Sequence, residues 1–88
     1  MTGKKYLKTY KKVKASMTVR RVLIDGETEK AYSLRRIKNI EGKTWIPKSV
    51  CIRVKEVVIE EETWTDLGIS KWFYKQERLN LMKCEYGR

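Results

Sequence analysis

The sequence predicts a mainly β (α+β) domain: a small curled antiparallel sheet, or an open SH3/OB-like barrel, of about four strands with a C-terminal helix. Three observations carry this. Apolar residues recur at every second position, as Val13, Ala15, Met17 and Val19 and again as Val50, Ile52 and Val54, the period of a half-buried strand. Turn residues punctuate the runs at Asp25-Gly26, Glu41-Gly42 and the single proline, Pro47. Near the C-terminus the period lengthens, and Ile69, Trp72, Phe73, Gln76 and Leu79 fall on one stripe of a helix.

The elements follow in order. Met1 to Lys12 shows no strand alternation, and an unaided helix this short is marginal in water, so it reads as a flexible basic arm. Val13 to Ile24 is the first strand. Lys30 to Ile37 is the second, forming a hairpin with the first across Asp25-Gly26 through a loop long enough to need a bulge. After Glu41-Gly42 a third strand runs through Trp45 and Ile46, meets Pro47 at an edge, bulge or corner, and resumes through Val54. A tight turn near Lys55-Glu56 leads to a fourth strand ending about Thr65, with Glu60 to Glu62 as its solvated end. Ser70 is the expected N-cap of the helix. The domain is thus 13–84, with 85–88 as a tail. Its expected core is Val19, Leu23, Leu34, Ile37, Ile46, Ile52, Val54, Ile59, Trp72 and Leu79.

Charge narrows the function. The 88 residues hold 21 Lys and Arg against 11 Asp and Glu, and no His, for a net charge of +10. Without His, Ser-His and Cys-His nucleophile pairs are excluded. Cys51 and Cys84 are too few for a structural zinc site and read as reduced thiols, Cys51 outward and Cys84 in the tail. No metal or other cofactor is expected, and no catalytic carboxylate or lysine pair stands out, so the chain reads as a non-enzyme. No apolar run reaches membrane-spanning length and no secretory signal precedes the domain, which points to the cytoplasm and away from membranes.

The basic excess is concentrated: Lys4, Lys5, Lys8, Lys11, Lys12, Lys14, Arg20 and Arg21 precede the first acid, Asp25. Lys4, Lys5, Lys8, Lys11 and Lys12 with Tyr6 and Tyr10 are candidate contacts for a polyanion, the lysines for phosphate and the tyrosines for stacking. The alternative is a solubilising tail. The doublets Arg20-Arg21 and Arg35-Arg36 lie on strands expected to pair, and each should turn one arginine outward. With Lys38 and Lys48, the outward arginines Arg20 and Arg35 would line a groove that tracks phosphates. The competing reading pairs these cations with Glu27, Glu29 and Glu60. Trp45 is read as capping the core, and Lys48 as exposed. Tyr32, Trp64 and Tyr74 are further stacking candidates, with core or rim positions as the plain alternative.

The blocks Lys30-Ala31, Gly42 to Ser49 (GKTWIPKS) and Ile69 to Trp72 (ISKW) resemble a group of small phage and prophage proteins of unassigned function. The resemblance covers about residues 28–80 and leaves out the basic arm. It implies a mobile-element origin and a small β domain, and it brings no catalytic residue.

The expected function is therefore a non-enzymatic nucleic-acid-binding module of a phage or mobile element, acting on single-stranded DNA or RNA. The alternative is a phage-encoded inhibitor of a host defence complex, with a host protein or ribonucleoprotein as partner. Edge strands offer a route to a homodimer.

Overall fold

The chain adopts the mainly β class, with short helices at its C-terminal end. The computed structural model describes residues 5–9, 13–38 and 40–87. The strands are β1 (Lys5–Thr9), β2 (Met17–Val22), β3 (Ile24–Glu27), β4 (Ala31–Arg35), β5 (Lys43–Pro47), β6 (Cys51–Ile59) and β7 (Glu62–Ser70). A 3-10 turn (Lys48–Val50) joins β5 to β6, and the helices are α1 (Lys71–Gln76) and α2 (Arg78–Met82). One antiparallel sheet has the order β1-β6-β7-β2, and a second has the order β3-β4-β5.

The expected first strand is the link between them. Its alternation gives way to the apolar run Val22, Leu23 and Ile24, and the strand is interrupted at Leu23, leaving one sheet as β2 and entering the other as β3. A strand that changes sheets at a bend lets two sheets curl over one core. Val22, Leu34, Ile46, Leu67, Ile69 and Leu81 are fully buried in that core, and each such side chain contributes about 1.5–3 kcal/mol. Leu23, Val57, Ile59 and Trp64 form a second, smaller cluster with Ile37 against it.

Several boundaries differ from the sequence reading, each for a local reason. Residues Lys5–Thr9 of the supposed arm form β1, antiparallel to β6, with Lys5 opposite Val58 and Thr9 opposite Lys55. Backbone pairing with a free sheet edge needs no side-chain alternation, so the period gave no sign of it. Asp25-Gly26 lies within β3 as an irregularity in its pairing with β4, a bulge rather than a turn. The reversal comes at Thr28–Ala31, where the Thr28 N–H donates to Ala31 O at 2.8 Å and the Ala31 N–H donates to Thr28 Oγ1 at 3.1 Å. β6 runs through Lys55-Glu56 with a register shift instead of turning. The hairpin to β7 is made by Glu60 and Glu61, both at positive φ (50° and 69°), the backbone of a tight two-residue connection.

The C-terminal segment differs most. Ser70 is the N-cap position, without a side-chain cap bond. The helix breaks at Glu77 (φ −106°, ψ 22°). Tyr74, Leu81 and Cys84 face the core, while Trp72 is 63% and Leu79 78% exposed. Val19, another expected core residue, is also exposed, and Ile52 and Val54 are half-buried. Residues 84–86 are part of the domain and not a tail. Cys84 is buried, Glu85 bridges to Val22, and the Tyr86 ring meets Trp64 edge-on at 5.1 Å. Among the described residues no helix is long and apolar enough to cross a membrane.

Candidate nucleic-acid interface

The strand cations are largely engaged. Arg20 and Arg21, adjacent on β2, point to opposite faces, and each finds a buried carboxylate. Arg21 Nε and Nη2 donate to the two oxygens of Asp66 at 2.7 and 3.0 Å, a bidentate geometry. Arg20 lies over the Tyr74 ring, 4.5 Å from its centroid, with Nε 3.9 Å from Glu85 Oε1. Tyr74 Oη donates to the other Glu85 oxygen at 2.6 Å. The Tyr74 ring and hydroxyl thus serve the interior and are not offered for stacking on a ligand.

The second doublet divides its work in the same way. Arg35 pairs with Glu62 at the start of β7. Arg36 ties down the 41–44 turn, donating to Glu41 O at 2.9 Å, Lys43 O at 3.3 Å and Thr44 Oγ1 at 3.2 Å. Gly42 makes this possible. Its φ is +95°, and a Cβ there would sit 2.8 Å from Arg36 Nη1.

Lys48 donates to Glu27 Oε2 at 2.6 Å and lies 5.0 Å from the Tyr32 ring centroid. That hydrogen bond, more than the simple attraction of the charge, holds the Glu27 carboxyl below its usual range. Lys38 is exposed, at φ 56° in the left-handed region. It shares a cleft with Arg35, whereas Arg20 and Lys48 lie elsewhere, against Tyr74 and Tyr32. Lys5, Tyr6 and Lys8 are on β1. Lys4, Tyr10, Lys11 and Lys12 fall outside the described residues. Of the aromatic candidates, Trp64 is buried and Trp45 is 52% exposed, so Trp45 does not cap the core.

The helical corner is different. Lys71, Lys75, Arg78 and Lys83 lie in the same segment as the exposed Trp72 and Leu79, and no carboxylate among the described residues pairs with any of them. The one acid in the segment, Glu77, accepts a bond from Asn80 Nδ2 at 3.2 Å. Trp72 stands in the first turn of α1, braced edge-on by Phe73 at 5.7 Å. A broad concavity of about 580 Å3 lies between Lys75, Arg78, Leu79 and Lys83. Phosphate attraction, a free indole face and apolar contact are therefore within one short stretch of chain. Reading the helix stripe as core hid this site. The signal was present in Lys71, Lys75 and Arg78, spaced i, i+4, i+7 and close in sequence to Trp72.

The two cysteines are free and buried. Burial pushes the Cys51 thiol up to about 11 and raises that of Cys84 as well, so both are held as thiols rather than reactive thiolates. Among the described residues no three Cys, Asp or Glu side chains converge to hold a metal ion.

No family model, curated protein or solved structure matches this chain. The resemblance to small phage and prophage proteins rests only on the sequence blocks that carry it, residues 30–31, 42–49 and 69–72.

Proposed function

We propose that this protein binds single-stranded nucleic acid, DNA or RNA, through the α1–α2 corner. The observation that carries the reading is the set of four cations, Lys71, Lys75, Arg78 and Lys83, left without carboxylate partners among the described residues in the segment that bears an exposed tryptophan. Lysine and arginine that neutralise phosphates release the counterions condensed on the nucleic acid, which supplies affinity without sequence preference. An unpaired base stacks on the free face of Trp72, which any base can do. The N-terminal lysines add to the positive field that steers a polyanion toward the molecule.

The test is fluorescence anisotropy of labelled oligonucleotides at two salt concentrations, with tryptophan emission followed in parallel. Binding should weaken steeply with salt, by up to about three units of slope if four phosphates are neutralised at ~0.7 each. Emission should be quenched as Trp72 stacks. Absence of binding at low salt would overturn the reading and direct attention to an acidic protein partner.

A further inference from the structure

The concavity at the helical corner does not stop at α2. Lys83, on its rim, is also a wall of a smaller pocket of about 200 Å3 whose other lining residues are Ile37, Lys38, Ile40 and Met82. Ile37 and Lys38 in turn line a third cleft of about 370 Å3 beside Arg35 and Trp64. The three clefts thus adjoin through shared lining residues and form a candidate trough. Its walls are pinned together where the Ile37 N–H donates to Lys83 O at 2.8 Å. The middle pocket is lined by the apolar side chains of Ile37, Ile40 and Met82 together with Lys38 and Lys83. Neither Lys38 nor Lys83 pairs with a carboxylate among the described residues.

We infer that this trough is the track of one unpaired strand, which lays a nucleobase on the Ile37–Ile40–Met82 floor while Lys38 and Lys83 hold the phosphates on either side. The inference rests on the nucleic-acid reading above and extends it to a second contact beyond the helices. A bare phosphate chain gains nothing from an aliphatic floor, and the apolar face of a base does. A duplex keeps its base faces stacked inside and cannot offer one to a pocket of this size, whereas an unpaired strand can splay its bases. Among the described residues the apolar lining of Ile37, Ile40 and Met82 offers no strong hydrogen-bonding side chain, so contact with the base face outweighs readout of its edges and sequence preference is weak. Lys38 sits in the left-handed region, a backbone cost of the kind that accumulates at binding surfaces.

The experiment uses the full chain and a labelled oligothymidylate of about twelve nucleotides, within the usual range of single-strand site sizes. Unlabelled competitors are the corresponding duplex and inorganic polyphosphate. The variants are Ile40→Ala, Lys38→Ala and, as a control at the corner, Arg78→Ala. Ile40 is 40% exposed, so its truncation should leave the melting temperature unchanged. It should weaken strand binding about fivefold through lost apolar contact without altering competition by polyphosphate. Lys38→Ala should weaken the strand and polyphosphate alike, and the duplex should compete at least about tenfold less well than the strand.

If Arg78→Ala weakens binding while Ile40→Ala and Lys38→Ala bind as wild type, the track ends at the helices, and this inference fails while the corner reading stands. Equal competition by duplex and strand also overturns it. If the unmodified protein binds no oligonucleotide, both readings fall together.

Discussion

The cations of the strands and those of the helical corner are the same residue types in opposite circumstances. Arg20, Arg21, Arg35, Lys43, Lys48 and Arg53 each have a carboxylate within 4.0 Å. Lys71, Lys75, Arg78 and Lys83 have none among the described residues. Antiparallel pairing explains part of the contrast. It sets side chains on neighbouring strands opposite one another at fixed spacing, as it does for Arg21 and Asp66, which are direct partners in register. A short two-helix corner turns successive side chains outward with no facing strand to supply an acid. Net charge therefore overstates what the sheets can offer a polyanion, and the helices carry a larger share of the available charge than their length implies.

The largest way to test this contrast is to remove a carboxylate from the strand side. Asp66→Ala leaves Arg21 without its bidentate partner, and breaking such a mostly buried pair should cost about 3–5 kcal/mol. Arg78→Ala, exposed and unpaired, should change stability by no more than about 0.5 kcal/mol. Urea denaturation of both variants reads the difference, and equal midpoints would dissolve the distinction between structural and available cations.

A second measurement reads the strand interior through pH. The unfolded chain releases the Cys51 proton near 9.0, and the folded chain holds it to about 11. The unfolded state therefore binds fewer protons between those values. The stability tied to the buried neutral thiol is complete below pH 9 and is lost as pH rises toward 11, on the order of 2 kcal/mol. Denaturation midpoints across that window should fall, and in a Cys51→Ala background the fall should be smaller. An unchanged pH dependence in that background would remove Cys51 as its source.

At the corner, Trp72→Ala separates ligand contact from packing. Its indole is mostly exposed, so the melt should shift little. Strand affinity should drop by about 1–3 kcal/mol, the worth of one stacked base. A collapse in stability with no separate binding defect would return Trp72 to the core. The smallest expected effects come from single cations. Lys75→Ala should lower the salt slope by about 0.7, one phosphate contact on a single strand. Lys48→Ala should leave the slope unchanged, because Lys48 is already bound to Glu27. Equal losses from the two would erase the difference between paired and unpaired surfaces.

The fold was more legible than the site. Alternation along 13–24 and 50–54 marked β2 and β6 as strands but not their buried faces, since Val13, Ala15 and Val19 are exposed and Ile52 and Val54 half-buried, and Pro47 falls at the end of β5, where a missing N–H costs no ladder bond. The C-terminal helix was legible as an element but not as a face. Trp72, Gln76 and Leu79 are at helical spacing, and so are Tyr74, Glu77, Leu81 and Cys84. Tyr74, Leu81 and Cys84 of the second set are buried and Glu77 is half-buried, yet this set looks less apolar, since it contains Glu77 and is followed by Glu85.

The chain by itself thus determined the period of each segment, the C-terminal position of its helix and the excess of positive charge. These depend on residue order alone, through steric preference and local spacing. Tertiary structure decided which helix face is buried, because Tyr74 donates a hydrogen bond to the Glu85 carboxylate inside, with the Arg20 charge nearby, and this makes a polar residue acceptable there. It also decided that Lys5–Thr9 is a strand and which cations are left free. Both depend on partners distant in sequence, a sheet edge at β6 and carboxylates on facing strands, and such pairings form only when the chain has folded.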